Sequence, residues 1–394
     1  MVNLQPSINS SIIPIDTLQL PSPLDGSSGS NRARNNHPQI SARNDIDALK
    51  AWLARFADTR TTFESYRKEA ERLLLWSVTE LAKPISSLTH EDLLIYQRFL
   101  SDPQPASRWV MSKRKASRGD PDWKPFAGPL SPTSQRQTIV ILNGLFSWLV
   151  NAGYLAGNPL SLSRQRQRKA KTRITRLLDD DLWNEVKQTI EHLPRETRRQ
   201  REHYYRARWL FSLLYMTGLR ASEVVQNTMG GFLKRKDRDG EDQWWLEITG
   251  KGDKCRWVPA PQDLLIELQR YRREIGLNPW PIEGELVPLL LPIGGKQRFM
   301  TRAAVHLILK QIFALTAERL KQRGPESSGQ VARLEAASTH WMRHTAASNM
   351  VSVMDLHYVR DNLGHSSIAT TNNYLHTEDD NRHQYTEERY KLNW

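Results

Sequence analysis

The chain has 394 residues and a formal charge of +13. That is length enough for two or three domains, with a basic excess that favours a polyanionic partner, nucleic acid first. A single cysteine, Cys255, excludes an intramolecular disulfide framework and a thiolate-rich metal site. Apolar runs such as Ile139–Leu142 and Leu289–Leu291 fall far short of the roughly 20 residues of a membrane span. The first 31 residues hold no Lys or Arg, so no secretory signal is expected; the chain reads as cytoplasmic, with no membrane partner.

Residues 1–41 are rich in Ser, Pro and Asn without a sustained period, which predicts a flexible arm. Residues 42–160 read as a helical domain. Ile46, Leu49, Trp52 and Leu53 share one helical face, and Phe63, Tyr66, Ala70, Leu73 and Leu74 share another. Thr89 and Asp92 form a capping-box pattern ahead of Leu93, Leu94 and Phe99. Five prolines (103, 105, 121, 125 and 129) interrupt residues 101–131, which also carry Trp109, Lys113, Arg114, Lys115, Arg118 and Trp123. A loop of this length is either functional or a solvated insertion. A further helix is predicted from about Thr133 to Ala152, with Ile139, Leu142, Phe146 and Leu149 on one face and Gly153 at its end.

Residues 161–177 contain Arg164, Arg166, Arg168, Lys169, Lys171, Arg173 and Arg176, with no acid among them. Such a run is a solvated tract or an interaction segment; here it reads as an interdomain linker able to lie along a phosphate backbone. Residues 178–394 read as mostly helical with a small sheet. Residues 243–249 and 255–259 are strand-like around the turn Gly250–Lys254, which predicts a hairpin. Helices are predicted at about 262–275, 302–321, 338–352, 354–363 and 367–375. The fold class is therefore mainly α with a small β-sheet.

No Walker loop and no GxGxxG is present. His340 and His344 have a zinc-like spacing, but Trp341, Met342 and Arg343 stand between them, where a zinc helix needs Glu directly after the first His. No metal site is expected. A different set stands out in chain order: Arg220 in TGLRASEVV, Lys251 at the tip of the glycine-flanked hairpin, His340 and Arg343 three apart on one helix, His365 after Leu363-Gly364, and Tyr374 nine residues later. Glu223, three after Arg220, is either a solvated acid or the group that orients that guanidinium. His344 reads as structural, Cys255 as packed in the hairpin, and Trp244 and Trp245 as sheet cover.

Through the frames GLRASE, GKGDKCRWVP, HWMRHTAA, LGHSS and the tyrosine that follows, residues 218–374 resemble the tyrosine recombinases, or phage integrase family. Residues 44–154 look like that family's helical core-binding domain by size and pattern. The resemblance implies a two-domain clamp around double-stranded DNA and an α+β catalytic domain. It also implies cleavage to a 3′-phosphotyrosine with a free 5′-hydroxyl, then rejoining to a partner strand within a homotetramer on paired sites, with or without accessory proteins.

The residue types suit that chemistry. Arg220 and Arg343 can fork onto the non-bridging oxygens of a phosphodiester. Tyr374 would attack, His340 would accept its proton, Lys251 would protonate the departing oxygen, and His365 would donate a hydrogen bond to the phosphate. The covalent intermediate conserves the energy of the broken bond, so no cofactor, metal or ATP is called for. Two alternatives stand beside this reading: a type IB topoisomerase, and a non-catalytic DNA-binding protein of the same fold.

Overall fold

The computed structural model describes residues 12–33, 38–112, 116–162, 176–250, 252–294, 296–365, 367–371 and 374. The chain divides into two compact units, Met1–Gln167 and Arg168–Trp394.

The first unit is helical: α1 (Asp45–Ala54), α2 (Arg60–Glu80), α3 (His90–Ser101), the short α4 (Ala106–Trp109) and α5 (Pro132–Asn151). Local sequence explains where they start. Thr89 and Asp92 close a reciprocal capping box at α3, and Ser131 caps α5 with Pro132 in its first turn. Trp52, Leu73, Leu74, Trp76, Tyr96, Leu142 and Phe146 form the centre of the core.

One segment departs from expectation, and a second that the sequence left open is anchored. The predicted flexible arm packs against this unit over residues 12–33 and 38–41. Ile15 and Leu24 are buried, the Ile15 N–H donates to Glu71 Oε1 at 2.8 Å, and the Ala33 and Gln39 N–H groups donate to the carbonyls of Tyr154 and Ala152. Two apolar anchors and answered backbone donors hold a segment whose average composition is polar. Residues 1–11 and 34–37 of that arm lie outside the described residues. The 101–131 segment is likewise anchored: Trp109 and Phe126 are fully buried, and Val110 bridges to Phe126. Arg118 pairs with Glu71 and Asp16.

The second unit contains α6 (Asp180–Glu191), α7 (Arg198–Thr217), α8 (Ala221–Val224), the strands β1 (Phe232–Lys236), β2 (Asp242–Thr249) and β3 (Cys255–Pro259), then α9 (Gln262–Glu274), α10 (Arg302–Lys321), α11 (Ser328–Ala336), α12 (Thr339–Val353), α13 (Leu356–Leu363) and α14 (Ile368–Thr371). The sheet is antiparallel in the order β1-β2-β3, with Leu246 opposite both Phe232 and Val258. These three side chains join Leu210, Leu214, Leu309 and Met342 in the core.

β1 is an added edge strand whose sequence, FLKRK, buries only Phe232 fully. Cys255 is exposed rather than packed, because alternation on β3 turns Val258 inward. Trp244 stacks on Trp280 at 4.9 Å, consistent with sheet cover. Of the predicted 367–375 helix, the described part is α14 followed by Tyr374. No helix among the described residues is long and apolar enough to cross a membrane.

Candidate active site

The site begins where α7 ends. Gly218 adopts φ 63°, a left-handed conformation that glycine reaches without steric cost. A Cβ there would also lie 2.5 Å from Leu363 Cδ2. The turn delivers Arg220 to the start of α8 in extended conformation.

Glu223, one turn on, is buried and collects four donors. Arg220 gives its N–H at 2.8 Å and its Nη1 at 3.0 Å. Arg256, on β3, gives Nη1 at 2.8 Å and Nη2 at 2.9 Å, while its Nε donates to the Asn362 carbonyl. Burial pushes the Glu223 carboxyl up, but the Arg256 pair and the Arg220 donors more than offset it, leaving it below the usual carboxylate range.

α12 supplies the opposite side. Arg343 is 2% exposed, and its two terminal nitrogens donate to the carbonyls of Gly218 at 2.7 Å and Leu363 at 2.6 Å. Burial and then Arg220 bring its pKa down to about 10, so it remains a cation at neutral pH. Among the described residues no carboxylate pairs with it. His340 lies one turn earlier on the same face, and burial, Arg343 and Arg220 all lower its pKa. Arg220, His340 and Arg343 line one cavity of about 690 Å³, together with Thr339 and with Arg302 and His306 of α10. The cavity wall is cationic and suits an anion.

α13 ends at Gly364, φ 63°, and His365 follows with its N–H on the Arg360 carbonyl. Its Nδ1 lies 2.9 Å from Thr371 Oγ1. Its ring lies parallel to that of Tyr374, centroids 6.2 Å apart. Burial, then Arg343 and Arg220, bring His365 down to about 4. Tyr374 is buried beside Ala347, Met350, Val351, Val359 and Leu363. Its pKa is raised by burial, against the pull of Arg343 and Arg220.

Arg220, Glu223, His340, Arg343, His365 and Tyr374 therefore belong to one electrostatic neighbourhood, the first five carried by α8, α12 and the end of α13. Lys251 lies outside the described residues, as do Arg164, Arg166, Arg168, Lys169, Lys171 and Arg173. Four residues of the site escape sequence reasoning. Arg256 shares Glu223 from 33 positions away, a separation that leaves no local signal. Arg302 and His306 face the cavity from a helix whose own sequence reads as ordinary. His344, structural by its sequence, has its Nδ1 2.9 Å from Tyr374 Oη; its spacing of four from His340 is the one clue to it.

Residues 183–381 match the phage integrase family. Over 338 residues the chain is 25% identical to the tyrosine recombinase XerC of Xanthomonas campestris pv. campestris (strain B100), covering 84% of this chain and 85% of that one. Over 188 residues it is 31% identical to XerD of Rhizobium meliloti (strain 1021), covering 46% of this chain and 51% of the relative. Its fold is similar to that of the XerH site-specific recombinase in a post-cleavage complex with palindromic difH substrate, at TM-score 0.56 and 16% identity over 93% of this chain and 92% of that one. It is also similar to the Tn1549 transposon integrase in complex with transposon right end DNA, at TM-score 0.55 and 16% identity over 87% of this chain and 98% of that one.

Proposed function

The chain belongs to the phage integrase family and is a tyrosine-type site-specific DNA recombinase, and from that premise we propose that Tyr374 is its nucleophile. The carrying observation is the cavity that Arg220 and Arg343 line together. Arg343 is pinned by two carbonyls and answered by no described carboxylate. A phosphodiester seated there receives two forked guanidiniums on its non-bridging oxygens, where charge grows as the phosphorus becomes five-coordinate.

Tyr374 Oη attacks in line and its proton passes to His340. The 5′-oxygen departs with a proton from Lys251, leaving a 3′-phosphotyrosine. His365, neutral at pH 7, donates a hydrogen bond to the phosphate. Glu223 orients Arg220, with Arg256 bracing it from the other side. Rejoining runs the same steps backwards with a partner 5′-hydroxyl, in a homotetramer on paired sites. The helical unit and the 161–177 segment serve as the DNA-binding domain and a backbone-contacting linker, and the protein works in the cytoplasm.

The test is covalent capture on site DNA. Tyr374→Phe should bind DNA as the unaltered chain does and form no adduct on a denaturing gel; a retained adduct would overturn the nucleophile assignment. Lys251→Ala should cleave ordinary DNA about 10²–10⁴-fold more slowly. It should recover on a 5′-bridging phosphorothiolate, whose sulfur leaves without a proton. Failure of that rescue would reduce Lys251 to a phosphate clamp.

A further inference from the structure

We propose that His344 is the positioning residue of the nucleophile: its Nδ1 fixes the Tyr374 hydroxyl at the point from which attack begins. This rests on the reading of Tyr374 as the nucleophile. The apolar side chains around Tyr374, from α12 and α13, hold a phenol ring by its faces. Apolar contacts of that kind set no direction for the hydroxyl. A hydrogen bond is directional, and the Nδ1–Oη separation of 2.9 Å supplies one.

The acceptor sits on a helix that the site itself ties down. His344 follows Arg343 directly on α12. Arg343 ties that helix to the Gly218 turn and to the end of α13 through its two carbonyl bonds. The helix that aims a guanidinium at the phosphate thus also sets the hydroxyl. The same side chain packs edge-on against His340, ring centroids 4.4 Å apart, which limits its own rotation.

The electrostatics match a directional role. Burial, then His340, Arg343 and Arg176, bring His344 down to about 4, so its imidazole is neutral at pH 7. We assign the ring proton to Nε2, so that Nδ1 accepts from the phenol. So weak a base does not store the proton; it orients the O–H and leaves an oxygen lone pair to face phosphorus. As the P–O bond forms, the O–H turns from His344 Nδ1 to His340, which takes the proton.

The experiment uses the full chain and single-turnover cleavage of a nicked duplex bearing its mapped site, with DNA affinity measured beside it. His344→Ala should keep its affinity and cleave about 10²-fold more slowly, the scale of a misplaced reacting group. His344→Asn puts a carboxamide close to where Nδ1 stands and should regain at least about tenfold of that loss. His344→Gln reaches instead toward the place of Nε2 and should stay as slow as the alanine variant. An alanine variant as fast as the unaltered chain would overturn the inference, and so would an Asn variant no better than Gln. Tyr374→Phe keeps the two readings apart. If it still forms adduct, the nucleophile assignment fails; if it is inert while His344→Ala cleaves normally, only the role of His344 fails.

Discussion

Arg72 in the first unit and Arg343 in the second are both buried, and their surroundings differ in one respect. Arg72 bonds both carboxylate oxygens of Glu69 at 3.2 Å, the Pro125 carbonyl at 2.9 Å, and lies over the Phe126 ring. Its charge is met by a carboxylate, which the half-exposed Lys68 also reaches at 3.1 Å. Arg343 has two carbonyls and no described carboxylate. Arg272, in the same unit as Arg343, shows that this is not a habit of the catalytic fold: it too bonds carbonyls, but Glu285 lies 3.0 Å away. The acid nearest in role to Arg343, Glu223, is already committed to Arg220 and Arg256. Two guanidiniums thus share that carboxylate directly, and Arg343 feels it only through space. A buried cation with no carboxylate bonded to it is costly, and a site that keeps one is built to receive an anion.

The strongest way to break this comparison is to delete both arginines. Arg343→Met should slow single-turnover cleavage by about 10²–10³-fold, the usual cost of one oxyanion donor. Its effect on the melting temperature should be the smaller of the two. It orphans two carbonyls but also removes an unpaired charge, and these terms oppose each other. Arg72→Met leaves the buried Glu69 with only the half-exposed Lys68 and the Thr138 hydroxyl, orphans the Pro125 carbonyl, and should destabilise the first unit by roughly 2 kcal/mol. The chemistry of the surviving folded protein should be intact. Equal stability losses in the two variants, or a normal cleavage rate for Arg343→Met, would mean that the missing counter-ion has no functional meaning.

Glu223 sharpens the same point from the acidic side. Glu223→Gln keeps the shape and removes the one negative charge between Arg220 and Arg256. Arg220 should then lose its fixed orientation, and cleavage should fall by about tenfold, roughly 1.4 kcal/mol. Keeping the geometry without the charge should not suffice. A Gln variant as active as the unaltered chain would make Glu223 an anchor of shape alone.

Acid stability offers a milder contrast between the units. His344 and His365 both stand at about 4 in the folded chain, against about 6.5 in an unfolded one. Between those values the unfolded state binds more protons, so stability falls as the pH drops from about 6.5 toward 4 and is unaffected by these groups above 6.5. Thermal melts at pH 7 and pH 5 should show the second unit losing more than the first. His365→Asn should flatten that loss; a loss undiminished in the variant would place the acid sensitivity elsewhere.

Much of the scaffold is legible because its signals are local. The Thr89–Asp92 capping pattern marks the start of α3, and the predicted helix from Thr133 to Ala152 differs from the observed Pro132–Asn151 by one residue at each end. Gly218 and Gly364 announce the two turns that deliver Arg220 and His365. What stays hidden depends on distant partners. β1 has one fully buried residue and exists because β2 pairs with it. The arm packs because its N–H groups meet Glu71, Tyr154 and Ala152. Arg256 and His344 look like surface and structural residues until Glu223 and Tyr374 arrive from 33 and 30 positions away.

A third kind of arginine extends the comparison, one marked by sequence alone: it is set in a run without acids. Arg164, Arg166, Arg168 and Lys169 lie in such a stretch, with no carboxylate beside them in sequence to compete for them. If that run follows a phosphate backbone, its contribution is counterion release, which is blind to base sequence. Replacing these four with Gln should weaken binding to site and non-site DNA by the same factor. The slope of log K against log salt should become shallower by about 0.9 for each phosphate that the run no longer neutralises. Single-turnover cleavage at saturating DNA should scarcely change, because none of the four is assigned to the reacting phosphate. That makes this the smallest catalytic effect of the series. An unchanged salt slope would show that the run is merely solvated, and that a stretch without acids does not by itself mark a DNA-binding position in this chain.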